Sequence, residues 1–278
     1  MTATVQARQA VSLLDNFEAL SARITEASHV GLFLDFDGTI SRIVLVPKDA
    51  EVDSEIAGPL RALAERSDFT IAIVSGRALA DLRERVGLKN AIYVGNHGLE
   101  IEAEDVRFRE PEAEALRREL RCLVLQLKLA LSETDGLEIE DKGLTLSVHF
   151  RRVTEELQDW VRSVTCSTVG RSRSFACREG KMVLEVFPRV DWHKGRAVKW
   201  IAREVLPSSP LLIYLGDDVT DEDAFAAIQE GITIKVGGLS DTAAQYALPD
   251  VAAVGLFLKW LNHSKPHASR ANLQRAGR

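Results

Sequence analysis

The chain has 278 residues, enough for one large domain or for a core with an insert of moderate size. Hydrophobic residues make up 46% of it, so it can bury a normal core and is not disordered on composition. A net charge of −6 lacks the basic face of a nucleic-acid binder, although a local cluster of Lys, Arg and metal can still hold a phosphate.

Leu13, Phe17, Leu20 and Ile24 recur at steps of four, three and four, which predicts an amphipathic helix over 9–24. Val30 to Phe36 is a short apolar run ending in carboxylates and predicts a buried strand. Residues 53–66 read as a helix, Phe69 to Val74 as a second buried strand, and 77–86 as another helix. Ala91 to Gly95 makes a third strand, closed by Gly95-Asn96-His97-Gly98. The alternation then changes. Pro111 suits a first helical position, and Leu116, Leu120, Leu123, Leu127 and Leu131 predict one long helix over 111–133. Strands follow at 137–141 and 144–150, joined around Lys142-Gly143, then a helix at 154–167 and strands near 172–176 and 182–187. Helix, hairpin, helix, hairpin is an α+β pattern. After Pro188 the βαβ pattern returns, with a helix at 193–205, a strand from Leu211 to Leu215, a helix at 220–230, a strand from Ile232 to Val236 and a helix at 254–262. The tail from His263 is basic, rich in small residues and aperiodic, and is expected to be mobile. The fold class expected is α/β, a parallel-sheet core of residues 1–107 and 186–278 interrupted by an α+β insert over 108–185.

Cys122, Cys166 and Cys177 have no CxxC spacing, and an odd count excludes a full disulfide framework, so three free thiols in a reducing cytosol are expected. No apolar run approaches the ~20 residues of a membrane span. The N-terminus lacks a basic-then-apolar signal and carries Asp15 and Glu18 early. A soluble, cytoplasmic, monomeric protein with a small-molecule partner, and no nucleic acid or membrane, is the expectation.

In doubly wound sheets, sites lie beyond the carboxyl ends of the strands. Strand one delivers Asp35 and Asp37 there, strand two Ser75-Gly76-Arg77, and the later strand Gly216-Asp217-Asp218 followed by Asp221, Glu222 and Asp223. Lys194 opens the helix preceding that strand. A phosphate ester needs an in-line nucleophile, charge neutralisation on its oxygens and a proton for the leaving alcohol. A carboxylate can be the nucleophile through an aspartyl-phosphate. Clustered carboxylates repel unless a cation sits among them, and oxygen ligands with phosphate and water suit Mg²⁺. Ser75 and Lys194 can bind phosphoryl oxygens, with Gly76 and Arg77 beside them, and Asp37 is placed to pass a proton. Gly38 permits the sharp exit that aims both carboxylates at one point.

Each piece has a plainer alternative. Asp-Gly after a strand is usually a turn, and Glu222 and Asp223 suit a helix N-terminus equally well. His97 and His193 lack metal-ligand spacing, and Gly237-Gly238 lacks the Gly-Lys-Ser/Thr end of a phosphate loop. The conjunction is what resists those alternatives, because all four pieces fall in order at the ends of core elements.

That conjunction resembles the haloacid-dehalogenase superfamily. Asp35-Phe36-Asp37-Gly38-Thr39-Ile40 is similar to its first motif, Ser75 to its second, Lys194 to its third and Gly216-Asp217-Asp218-Val219-Thr220-Asp221 to its fourth. The resemblance implies Asp35 as nucleophile and Asp37 as general acid/base. It also implies Mg²⁺ held by Asp35, the Asp37 carbonyl and Asp217, with Asp218 or Asp221 in support. A narrower resemblance, to the trehalose-6-phosphate phosphatases, rests on Ser75-Gly76-Arg77, Gly95-Asn96-His97-Gly98-Leu99-Glu100, the Gly216 to Asp223 stretch and the insert's position after the third strand. Glu140-Asp141-Lys142-Gly143, Ser147-Val148-His149-Phe150-Arg151, and Gly180-Lys181 leading to Glu185-Val186 extend it. It implies a sugar phosphate as substrate and Asn96, Glu140, Lys142, Arg151, Lys181 and Glu185 as sugar-binding residues. Phe150 stands where that family commonly has Tyr, and Phe187-Pro188 where an Arg-Pro is frequent, both beside sugar-contact positions.

The expected reaction is hydrolysis of trehalose 6-phosphate to trehalose and phosphate. Its rivals are the same chemistry on a glucosylglycerol or sucrose phosphate, a phosphomutase, and a non-enzymatic receiver switch. Asp37 argues against the switch, which must keep its phosphoryl group, and the insert has no evident use there.

Overall fold

The computed structural model describes residues 8–44, 46–239 and 241–263. The tail expected to be mobile beyond His263 lies outside them. In chain order the main elements are α1 (Phe17–Glu26), β1 (Val30–Asp35), α2 (Ser54–Ala64), β2 (Phe69–Val74), α3 (Leu79–Val86), β3 (Ala91–Gly95) and β4 (Glu100–Glu102). Then come α4 (Pro111–Ala115), α5 (Arg117–Ala130), β5 (Glu138–Asp141), β6 (Leu146–His149), α6 (Glu155–Gly170), β7 (Phe175–Gly180) and β8 (Val183–Pro188). The described residues end with α7 (Lys194–Glu204), β9 (Leu211–Gly216), α8 (Glu222–Ala227), β10 (Ile232–Val236), β11 (Tyr246–Leu248) and α9 (Val251–His263).

These elements fall into two compact units, one running up to Arg107 and resuming at His193, the other Phe108–Trp192. In the first, β1 lies between β9 and β2, with β10 and β11 beyond β9 and with β3 and β4 beyond β2. The pairs from β11 across to β3 are parallel, with Leu32 of β1 between Ile213 and Ile71. Every residue of β1 is buried, as a central parallel strand requires. Leu32, Leu34, Ile71, Ile73, Ile213 and Ile234 form one core with Leu60 and Leu63 of α2 and with Phe257 and Leu258 of α9. The chain leaves β1 toward β2 but returns to its other edge through β9. The crevice beyond β1 and β9 is therefore a topological switch point, where such sheets bind ligands.

The second unit is an antiparallel sheet in the order β7, β8, β6, β5. Leu146, Val148, Leu184 and Val186 of one sheet face pack with Leu120, Leu127 and Val161 of α5 and α6. The unit runs past the expected end at 185, because β8 pairs with both β7 and β6.

Several expected elements differ. The helix expected over 9–24 exists only as Phe17–Glu26; Val11–Ser12 instead adds to the sheet edge beside β11, although Leu13 is buried as its spacing required. The helix expected over 111–133 is divided at Leu116. That expected over 220–230 is a 3₁₀ turn at Val219–Asp221 followed by the short α8. The strands β4 and β11 carry too few residues for a periodic signal.

Candidate active site

Asp35 ends β1 and is 4% exposed. Its Oδ1 accepts a hydrogen bond from Lys194 Nζ at 2.7 Å. Lys194 begins α7, is 2% exposed, and also donates to Asp221 Oδ1 at 2.7 Å. Asp221 is fully buried; its carboxylate takes a second bond from the Tyr214 hydroxyl at 2.7 Å and a third from the Asp218 backbone N–H at 3.0 Å. A buried ammonium at a helix N-terminus is unfavourable by the helix dipole, and two carboxylates outweigh that. Burial alone would lower the Lys194 pKa, but Asp221 and Asp35 raise it above its ordinary value, so it stays protonated.

Asp217 follows β9 at the same sheet end. One carboxylate oxygen each from Asp35, Asp217 and Asp221 lie within 4.8 Å of one another. Gly38, at φ +82°, makes room for this, because a Cβ there would strike the Asp217 carboxylate. Of these three carboxylates, Asp35 and Asp221 share the Lys194 ammonium. Burial first, and Asp221 and Asp217 after it, lift the Asp35 pKa well above its ordinary value against the pull of Lys194. Burial, then Asp221 and Asp218, push Asp217 up to about 6. Asp217 Oδ1 is buried with no hydrogen-bond partner. An oxygen-only cluster with excess negative charge and an unpartnered carboxylate oxygen fits a hard divalent cation.

This repulsion sets a measurable expectation. The folded Asp217 pKa of about 6 lies above the ordinary 3.8, so the native state binds the proton more tightly than the unfolded state does. Metal-free protein therefore loses stability as pH rises between those two values, by about 1–3 kcal/mol. The thermal midpoint of Asp217→Asn in chelator should gain on the parent across that window and hold its lead above it. A difference that stays constant with pH would show that Asp217 is not strained.

Asp37 is placed differently. Arg77 grips it with two bonds, Nε to Oδ2 and Nη2 to Oδ1, both 2.7 Å. Arg77 also donates to Asp81 Oδ2 at 2.9 Å and to the Pro47 carbonyl at 3.0 Å. Arg77, expected at the phosphate, has its guanidinium engaged here by two carboxylates and a carbonyl. The Asp37 side chain remains 44% exposed and keeps open access on its outer side. Ser75 is buried, its Oγ accepting from the Arg77 backbone N–H at 3.2 Å. Gly76 lies against the His97 imidazole.

Asn96, expected at the sugar, lies in the turn that closes β3. It is fully buried and donates its amide to Glu100 Oε2 at 2.9 Å. Asn96 and His97 hold left-handed backbone at φ 50° and 58°. Their N–H groups bond the Arg77 and Ser75 carbonyls at 2.8 and 3.0 Å, so this turn braces the Ser-Gly-Arg loop. Between Asp218 and Asp221, left open by the sequence, the structure brings Asp221 into the acidic cluster. Asp218 is exposed and accepts from Thr220 Oγ1 at 3.3 Å. Glu222 holds Thr242 and the Ala243 N–H, both at 2.7 Å, and Asp223 lies 3.9 Å from His193 Nδ1. Sequence reasoning missed Tyr214 and Lys235, whose Nζ donates to the Asp217 carbonyl. A Lys ending the otherwise apolar run Ile232 to Val236 was the available signal for the second.

In the second unit, register sets Arg178, Glu185, Ser147 and Glu140 in one row across all four strands. Two residues along, His149 shares that face, and its Nε2 lies 3.0 Å from Glu140 Oε2. Arg178, absent from the expected set, rests its guanidinium 4.9 Å from the Phe187 ring centroid. Lys142 follows β5, and Lys181 occupies the turn between β7 and β8. Arg151 is exposed and donates to the Lys181 carbonyl at 3.0 Å. Phe150 is fully buried beneath the Arg162 guanidinium, so the Tyr-to-Phe departure falls in the core and not on the polar face.

Residues 33–252 match the model of a family described as trehalose-phosphatase. A trehalose-phosphate phosphatase of Mycobacterium ulcerans is 36% identical over 237 residues, spanning 81% of this chain and 60% of that protein. The chain thus spans less than two thirds of this curated relative. Among solved structures, the C-terminal domain of a Candida albicans trehalose-6-phosphate phosphatase superposes with a TM-score of 0.75 at 23% identity, covering 91% of this chain and 98% of that one. A haloacid dehalogenase-like hydrolase from Bacteroides thetaiotaomicron superposes at 0.59 and 14% identity, covering 84% and 99%. Both show a shared fold.

Proposed function

The chain belongs to the trehalose-phosphatase family, and on that premise we propose that it hydrolyses trehalose 6-phosphate to trehalose and phosphate through a phosphorylated Asp35. The observation that supports this best is the buried Asp35 held 2.7 Å from Lys194 beside the unpartnered Asp217 oxygen. Asp35 and Asp217, with Asp221 behind them, would hold Mg²⁺, which when bound supplies charge that neutralises the phosphoryl oxygens. Lys194 orients Asp35 and keeps its positive charge at the attack point. One Asp35 oxygen forms a bond to phosphorus as the bond from phosphorus to the sugar oxygen breaks. Asp37 gives its proton to that oxygen, then takes one from the water that hydrolyses the acyl phosphate. Arg77 fixes where the Asp37 carboxylate stands. A sugar phosphate is too polar to cross a bilayer unaided, so the enzyme acts where the ester is made. Among the described residues, no helix is long and apolar enough to cross a membrane.

The test is phosphate release from trehalose 6-phosphate, sucrose 6-phosphate, glucosylglycerol phosphate and glucose 6-phosphate. Trehalose 6-phosphate should be preferred. Faster turnover of glucose 6-phosphate would overturn the substrate, and sugar isomerisation without free phosphate would point to a mutase. Chelation should abolish activity and Mg²⁺ restore it; a fully active chelated enzyme would exclude the metal.

The core residues address only phosphate and cation, so discrimination falls to the second unit. Sites built to bond hydroxyls reject analogues lacking them, because buried polar groups are left unpaired. Arg151→Ala, Lys181→Ala and Glu185→Ala should each lower kcat/KM for trehalose 6-phosphate by about 10–10²-fold, the worth of one or two hydrogen bonds to charged groups. Hydrolysis of p-nitrophenyl phosphate should hardly change. Equal losses on both esters would assign these residues to folding.

A further inference from the structure

Apart from the phosphatase chemistry, one reactive pair stands in the second unit. Cys166 of α6 and Cys177 of β7 place their sulfurs 3.8 Å apart. Both are free thiols, Cys166 exposed and Cys177 half-buried. We propose that Cys166 and Cys177 form an oxidation-sensitive dithiol, a modification site at which a hydroperoxide closes a reversible disulfide between α6 and β7.

The local architecture already holds the two elements in step. Arg162 lies one helical turn before Cys166, Glu179 two residues beyond Cys177, and Arg162 Nε bonds Glu179 Oε1 at 2.7 Å. Four helical residues rise ~6 Å and two strand residues ~6.6 Å, so helix and strand run antiparallel with matched rungs. The sulfurs need to approach by about 2 Å to bond, a movement within reach of side-chain rotation. Exposure differentiates the two thiols. Cys166 meets solvent and is the one a hydroperoxide reaches first. Burial, and then the neighbouring Cys166, push the Cys177 thiol up to about 12, so it remains a protonated thiol until its partner is oxidised.

The steps balance. The Cys166 thiolate attacks the outer peroxide oxygen, the O–O bond breaks, and an alcohol leaves with a sulfenic acid on Cys166. Cys177 sulfur then attacks Cys166 sulfur, the S–O bond breaks, and the departing hydroxide takes the Cys177 proton as water. Two thiols are oxidised and one peroxide is reduced. A small thiol reverses the bond by exchange. Because the two positions are 11 apart in sequence, the closed loop is short and the gain in thermal midpoint modest, about 5 °C.

The test uses the full chain treated with tert-butyl hydroperoxide. Two of the three cysteine thiols should be lost, the intact mass should fall by two hydrogen atoms, and peptide mapping should link Cys166 to Cys177. Dithiothreitol should restore all three. Cys122→Ser should form the same link, while Cys166→Ser and Cys177→Ser should form none within the chain. Survival of every thiol, a link through Cys122 or between chains, or gain of oxygen on either thiol without a link would each overturn the assignment. None of these outcomes bears on the phosphatase reaction, which the phosphate-release screen tests separately.

Discussion

Asp35→Asn should abolish turnover, by about 10³-fold or more, and should leave the protein folded. An amide is a poor nucleophile and a poor cation ligand, so both attack and charge balance fail at one atom. The fold should survive because the substitution removes one of three carboxylates that repel one another, with Lys194 still paired to Asp221 at 2.7 Å. Asp35 is ionised only at a cost, since burial and its neighbours hold its pKa well above the ordinary range. Thermal melting in chelator should therefore show no loss, and phosphate release should fall to background. Retention of more than a few per cent of activity would exclude a covalent aspartyl-phosphate.

Asp37→Asn should slow turnover of trehalose 6-phosphate by about 10²–10⁴-fold, the usual worth of general acid/base help. The loss should depend on the leaving group. A sugar alkoxide needs the proton, whereas p-nitrophenolate leaves without one. With that ester the first step should persist while hydrolysis of the acyl phosphate stalls, giving a burst of nitrophenol and a phosphorylated chain visible by mass. Arg77→Ala separates position from chemistry. It leaves Asp37 present but removes both 2.7 Å bonds that aim it, so kcat should fall by about 10-fold with KM little changed. If Asp37→Asn slowed both esters alike and trapped no phosphoryl group, Asp37 would not be the proton donor.

Much of this site was legible because parallel-sheet chemistry is sequential. Asp35, Ser75 and Asp217 each follow an apolar run, and the ends of such runs converge. Lys194 was legible from its place at a helix start, and the buried bonds to Asp35 and Asp221 explain its use. What was not legible depended on pairing between distant residues. Nothing in Ser75-Gly76-Arg77 says that the guanidinium turns toward Asp37, 40 positions away. Nor does anything in Gly95-Asn96-His97-Gly98 say that the Asn96 amide meets Glu100. Arg178 was missed because the strand expected near 172–176 runs instead from Phe175 to Gly180, and its place in the polar row is fixed only by register with Glu185. The N-terminal helix was overextended for a related reason. Leu13 is buried in either conformation, so helical spacing could not detect that Val11–Ser12 pairs with β11.

The sheet order also dictates a sequence of events during synthesis. β1 pairs residue for residue with β9, Val30 against Leu211, so its edge stays bare while the intervening chain is made. The second unit, contiguous from Phe108 to Trp192, emerges whole and can fold on the ribosome before the first unit has its remaining strands. The nascent chain thus carries an apolar, unpaired strand edge for the time needed to translate some 180 residues, about 10–40 s at ordinary elongation rates. Such long-range parallel pairing is slow to form, and an unpaired apolar edge is what invites aggregation, so the interval before β9 arrives is the one in which the nascent chain is most exposed to it.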